Sequence, residues 1–258
     1  MKRSSKNSRD RILNSIRREL GRQELSSAEK SNLEARIKGR KANIIPARSS
    51  GTHEEIIDLF KKMAKEAHAT VVNVISNRDV PNAVAEYLAQ NNLPSDIVMS
   101  SDKNMNVYPW ESIPLLNISR RKPENLDKVS VTGADMGFAE TGTLMLTSSS
   151  DRPSTLNFLP DHHIVVIESS KIRGAYEEGW DHLRTDKTFE GVMPRTVNLI
   201  TGPSRTGDVE QTMQLGAHGP RLLALQPLVL GEQVARDLSR HLGVVDERLS
   251  AVRAVDEP

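Results

Sequence analysis

Residues 70–100 read TVVNVISNRDVPNAVAEYLAQNNLPSDIVMS, and the fold is decided there. Thr70 to Ile75 is a β-branched, apolar run that suits a pleated and buried strand. Asp79 and Pro81 then open a helix, because proline's fixed φ matches the first turn and its missing N–H costs nothing at that position. Val84, Tyr87 and Leu88 fall on one face of it. Asp96 to Ser100 is apolar again and makes a second strand. Strand, helix and strand in succession form a βαβ unit, whose crossover lays the two strands parallel.

Working outward, Thr52 and Glu55 form a capping box ahead of Ile56, Ile57, Leu59, Phe60, Met63 and Ala67, which predicts a helix to about Ala69. Further strands are predicted at Lys128 to Thr132, Thr143 to Thr147, Ile164 to Glu168, Val197 to Thr201 and Leu222 to Leu225. Helices between several of them predict an α/β fold: an open, mainly parallel, doubly wound sheet with flanking helices and a tighter β element around Gly137 to Thr147. Upstream, Ile12, Leu13, Ile16 and Leu20 recur at helical spacing before Gly21, while Gln23 to Ser50 is polar and reads as a tether. The expected organisation is a basic N-terminal helical arm and linker over 1–50, the α/β domain over 51–230, and a C-terminal helix and tail over 231–258.

Composition limits the chemistry. No stretch of 18 uncharged apolar residues is present, and the first residues are basic and Ser-rich without an apolar signal core, so a cytoplasmic protein with no membrane insertion is expected. The absence of cysteine removes thiolate catalysis, thiolate zinc sites and iron–sulfur ligation. Residues 1–48 carry 14 Lys/Arg against 5 Asp/Glu, and the remainder 21 against 29, so a basic arm precedes an acidic body. Aromatic content of 3% is too low for a base-stacking platform, and the body has no recognition-helix signature, so nucleic acid is not the expected partner.

Three segments carry candidate chemistry. In Leu199 to Glu210, LITGPSRTGDVE, an apolar strand runs into glycines, hydroxyls and a cation before what reads as a helix start. Gly202 would permit close backbone approach, Ser204 and Thr206 offer hydroxyls, Arg205 offers a fork-shaped cation, and the helix would add its N–H groups and dipole. The competing reading is a plain β-to-α connection in which Ser204 or Thr206 caps the helix and Arg205 pairs with Asp208. Walker spacing is absent, so nucleoside triphosphate binding does not follow. In Gly133 to Thr143, GADMGFAETGT, two carboxylates lie beside three glycines. Glu140 could serve as base or nucleophile, although a hairpin whose Asp135 and Glu140 make turn and cap hydrogen bonds is the favoured reading. Gly216 to Arg221 brings His218 and Arg221, a pair able to hold a carboxylate. Asp161-His162-His163 invites a metal, but neighbouring side chains on a strand face opposite ways, and no metal site is expected.

Taken together, Val131 to Leu146, Asn198 to Gln211 and Gly216 to Arg221 resemble the LUD domain family, specifically its lactate utilization protein C group, with A-E-T-G-T at 139–143 and G-P-S-R-T at 202–206 as the paired motifs. Arg11 to Arg22 resembles the short N-terminal helix of that group. The resemblance implies a fold similar to the NagB/RpiA/CoA-transferase superfamily. It also implies a part in oxidising L-lactate to pyruvate beside partner proteins that contain iron–sulfur clusters, with no cofactor bound directly by this chain. The ligand expected is a small carboxylate or phosphate held by Gly202, Ser204, Arg205, Thr206, His218 and Arg221, with Glu140 lining the pocket. The alternative is a stand-alone isomerase or acyl-CoA transferase-type enzyme using Glu140.

Overall fold

The structure, a computed structural model, describes residues 5–42, 44–185, 193–207, 213–216 and 218–228. The chain divides into two compact units, Met1–Ile44 and Ile45–Pro258.

In the first unit, α1 (Ser5–Glu19) closes through Gly21 and Arg22, whose amides donate to Arg18 and Arg17 carbonyls at 3.1 and 2.9 Å. This is the double closure that a C′ glycine makes possible. The supposed tether contains a second helix, α2 (Ser27–Gly39), started by a capping box in which Ser26 and Glu29 satisfy one another's end of the first turn. None of the α2 residues is buried.

The second unit opens with α3 (His53–Glu66), capped by the expected Thr52–Glu55 pair. After it come β1 (Thr70–Val71), α4 (Val80–Gln90), β2 (Asp96–Met99), β3 (Asn117–Arg120), β4 (Val129–Gly133), β5 (Met136–Phe138), β6 (Thr143–Thr147), β7 (His162–Glu168), β8 (Ile172–Arg173), α5 (Tyr176–Thr185), β9 (Val197–Ile200), β10 (Arg205–Gly207), β11 (Met213–Leu215) and β12 (Leu222–Leu228). Six strands form one open sheet in the order β1-β12-β7-β4-β2-β3, and every pairing in it is parallel. A second sheet, β8-β5-β6-β9, is mixed, and β10 pairs antiparallel with β11. The strand predicted at Val197 to Thr201 therefore belongs to the second sheet, antiparallel to β6. The C-terminal helix predicted beyond Gly231 lies outside the described residues.

Alternation along β7 sorts the core. Ile164 and Val166 pack with Val84, Tyr87 and Leu88 of α4, whereas Val165 and Ile167 pack with Ile57, Phe60 and Ala64 of α3 and with Ala139, Leu144 and Leu146 of the second sheet. The far face of that second sheet is covered by Leu183 and Trp180 of α5. Both faces of the central strands β2, β4, β7 and β12 are thus dry, which is why they read as near-continuous apolar runs. Among the described residues no helix is long and apolar enough to cross a membrane.

Candidate functional site

Segments distant in sequence meet at the amino ends of β7 and β12. The loop after β9 is stitched to the turn before β12: the Ser204 amide donates to the Pro220 carbonyl at 2.9 Å, the Gly216 amide to the Ser204 carbonyl at 2.9 Å, and the His218 amide to Ser204 Oγ at 3.3 Å. A short 3-10 turn, Ser154–Asn157, brings Asn157 and Phe158 alongside. With His163 of β7 and Leu223 of β12 they enclose a cavity of about 270 Å³. Its polar lining is Asn157, His163, Thr201, Ser204, Arg205 and His218.

The cavity has a buried end and an open one. His163 and Leu223 are 1% and 2% exposed, and Asn157, Gly202 and Pro203 are buried, whereas Arg205 and His218 are exposed. His163 Nε2 lies 2.8 Å from Thr132 Oγ1, and its Nδ1 is buried with no partner. Burial pushes this imidazole down to about 3, so it stays neutral at physiological pH. Arg205 is exposed at the mouth, and Asp208, its partner in the competing reading, lies outside the described residues.

Of the residues predicted to hold an anion, Gly202, Ser204, Arg205 and His218 line this cavity together. Thr206 follows in β10 and Arg221 stands outside, its amide donating to the Asp161 carbonyl at 2.8 Å; neither is part of the lining. The helix expected after Thr206 is corrected by the structure: Thr206 pairs with Gln214 in an antiparallel ladder, and Met213–Leu215 is strand. Residues 208–212 lie outside the described set. Strand and not helix therefore flanks the loop at Arg205–Gly207 and Met213–Leu215, and the Ser204 amide is spent on the Pro220 carbonyl. Gly202 also has a different purpose: a Cβ there would lie 2.0 Å from the Ala67 carbonyl oxygen, so the close approach is to the end of α3 and not to a ligand.

Glu140 does not line the cavity either. Its carboxylate is 7% exposed and accepts a 3.0 Å hydrogen bond from the Tyr176 amide at the start of α5, while its own amide donates to the Gly174 carbonyl. Asp135 likewise accepts from the Thr147 amide at 2.6 Å. Both carboxylates make the turn and cap bonds of the favoured reading. A-E-T-G-T nevertheless touches the loop after β9, because Thr143 Oγ1 and Thr201 Oγ1 are 2.5 Å apart in a hydroxyl network completed by Thr141 and Tyr176.

The site residues missed by sequence reading are His163, Asn157 and Phe158. His163 was legible in principle, since alternation from Val165 and Ile167 turns it inward.

A second cavity, of about 320 Å³, opens at the carboxyl edge of the parallel sheet. It sits where β2 leads on to β3 and β4 leads the other way to β7, the crevice at which open α/β sheets generally bind ligands. Its cations are already committed. Arg152 bonds Asp135 Oδ1 at 2.5 Å and Thr147 Oγ1 at 2.9 Å and pairs with Asp102 at 3.5 Å, and Lys171 pairs with Glu168 at 3.1 Å. Tyr108, which lines it, is pushed up to about 12 by burial and by the Glu168 charge, so its phenol is neutral.

Comparisons with known proteins agree with this architecture. An uncharacterized protein of Neisseria meningitidis serogroup B is 42% identical over 106 residues, which cover 40% of this chain and 44% of that one. Lactate utilization protein C of Shouchella clausii is 35% identical over 92 residues, 36% of this chain and 40% of its own. The matched part thus spans less than half the length of these two relatives. A longer match, to lactate utilization protein C of Exiguobacterium sp., is 26% identical over 202 residues, 70% of this chain and 86% of that one. The crystal structure of a DUF162 family protein from Deinococcus radiodurans superposes with a TM-score of 0.51 at 22% identity, covering 70% of this chain and all of the other, a likeness of fold. The LUD domain profile matches residues 57–224, from α3 into β12 and well over half of the sequence, and the chain belongs to the LUD domain family.

Proposed function

We propose that this chain is a carboxylate-binding component of lactate utilization, acting beside iron–sulfur proteins that carry the electrons. The observation that carries the binding half is the convergence of Ser204, Arg205 and His218 at the mouth of one cavity. Arg205 supplies a permanent positive charge in the fork geometry that suits a carboxylate. Ser204 Oγ accepts from the His218 amide and keeps its own proton to donate. The metabolic half comes from the relatives' names, and the cysteine-free sequence fits a division of labour in which redox centres reside in partners.

Calorimetry of the full chain with lactate and with pyruvate at millimolar concentration tests the binding. Heat of binding is expected from at least one of them, weakened about tenfold or more in Arg205→Ala and partly restored in Arg205→Lys, as for the loss of a hydrogen bond to a charged group. A folded protein that gives no heat with either acid would leave only the role of organising partners.

A further inference from the structure

We propose that the cavity at the amino ends of β7 and β12 selects a monocarboxylate with an apolar body larger than that of lactate, bound with its head at Arg205 and its body inward. This inference rests on the carboxylate reading above.

Volume is the first argument. Allowing each heavy atom a water's share of about 30 Å³, which is generous for bonded atoms, lactate's six heavy atoms fill roughly 180 Å³. About a third of the 270 Å³ cavity would stay empty. The volume lies just under the roughly 300 Å³ at which pockets for larger organic ligands begin.

The distribution of charge is the second. Arg205 and His218 are at the exposed mouth, while the buried end holds Leu223, the neutral Asn157 amide and a neutral imidazole. A carboxylate at the buried end would be stripped of water with no cation to meet it, which is far costlier than leaving it at the mouth. The head therefore stays out, within reach of Arg205 and the Ser204 hydroxyl.

The third is the character of the walls. Ile200, Pro203, Pro220 and Leu223 supply apolar surface behind that head, and Phe158 and Leu199, 44% and 43% exposed, supply it at the rim. Half-exposed apolar side chains around a cavity are covered when the occupant has an apolar body and stay wet when it does not.

The test is calorimetry of the full chain with the straight-chain acids acetate, butanoate, hexanoate and octanoate, and with hexylammonium as a tail without the anionic head. Affinity is expected to rise about fourfold per added methylene until the cavity is full, the ratio for moving a CH₂ out of water. Hexylammonium is expected not to bind. Arg205→Gln should weaken all four acids by a similar factor, whereas Phe158→Ala, at the half-exposed rim, should weaken hexanoate more than acetate. Equal affinity for acetate and hexanoate, or equal losses for both acids in Phe158→Ala, overturns the size selection while leaving carboxylate binding intact. Absence of binding by every acid, lactate and pyruvate included, overturns the carboxylate reading itself.

Discussion

A Cβ built on Gly142 would lie 2.3 Å from the Ala64 nitrogen, and one on Gly202 would lie 2.0 Å from the Ala67 oxygen. Both glycines hold positive φ, 66° and 68°, and both press their loops on the last turn of α3. Two costs add in an alanine variant: the left-handed backbone, and a clash with main-chain atoms that cannot swing aside. Gly142→Ala and Gly202→Ala are each expected to lower unfolding free energy by about 2–5 kcal/mol, read from urea midpoints at unchanged m. Loss of binding with unchanged stability would instead return Gly202 to the ligand. Spacing revealed that these glycines were required, but not by what. The surface they meet lies on a helix well upstream, and local pattern carries no record of it. Ser204, Arg205 and His218 were legible because their chemistry is in the side chain; Asn157 and Phe158 were not, since only the closing of the sheet brings their turn to the cavity.

At the scale of elements, the start of α5 is held by two carboxylates, its own Glu178 and Glu140 from well upstream. Glu178 Oε1 accepts from the Gly174 and Ala175 amides at 3.0 and 3.2 Å, and Glu140 accepts from Tyr176. These satisfy donors that a helix start leaves without intrahelical partners. Glu140→Ala strands a partly buried amide and is expected to cost about 1–3 kcal/mol. Glu140→Gln keeps an acceptor oxygen and should cost less than about 1 kcal/mol, with lactate or pyruvate binding unaltered by calorimetry. A Gln variant of full stability that no longer binds would move Glu140 from capping to ligand chemistry. The helix α3 could be read because cap and apolar stripe coincide, and α4 because Pro81 at its start precedes a stripe, although Asp79 makes no capping bond. In α2 the Ser26–Glu29 cap was present, but no stripe accompanied it, and the segment passed for a tether. In Thr206 to Leu215 the opposite error arose: the hydroxyls and glycines ahead of Asp208 suggested a helix start, whereas Met213 and Leu215, two apart, keep the strand period.

For the molecule as a whole, the buried His163 ties stability to pH. Its imidazole titrates near its usual 6.5 when unfolded and about 3 when folded, so between those values the unfolded chain binds the extra proton. Stability must then rise with pH across that window and fall on acidification from about pH 6.5, by up to about 1.4 kcal/mol per unit. Burial lowers His162 as well and adds the same sign. Urea midpoints measured from pH 7 to pH 4 are expected to decline less steeply in His163→Gln than in the wild type; parallel slopes would mean that the native state accommodates the charged ring. The central strands of the parallel sheet were legible at this scale, because strands dry on both faces are largely apolar, whereas the polar, exposed edge strand β3 was missed. The division into two sheets was not, since β6 and β9 have the same apolar character as β4 and β7 and differ only in what they pair with.

The margins of the six-stranded sheet have a practical meaning. One edge is β1, two residues long, and the other is Asn117–Arg120, whose asparagine, serine and arginine are exposed. Neither presents a long apolar row of unpaired amides to a neighbour's strand. Among the described residues, the sheet most in need of shielding ends in borders too short or too polar to seed polymerisation, a property that favours concentrated, unaggregated preparations.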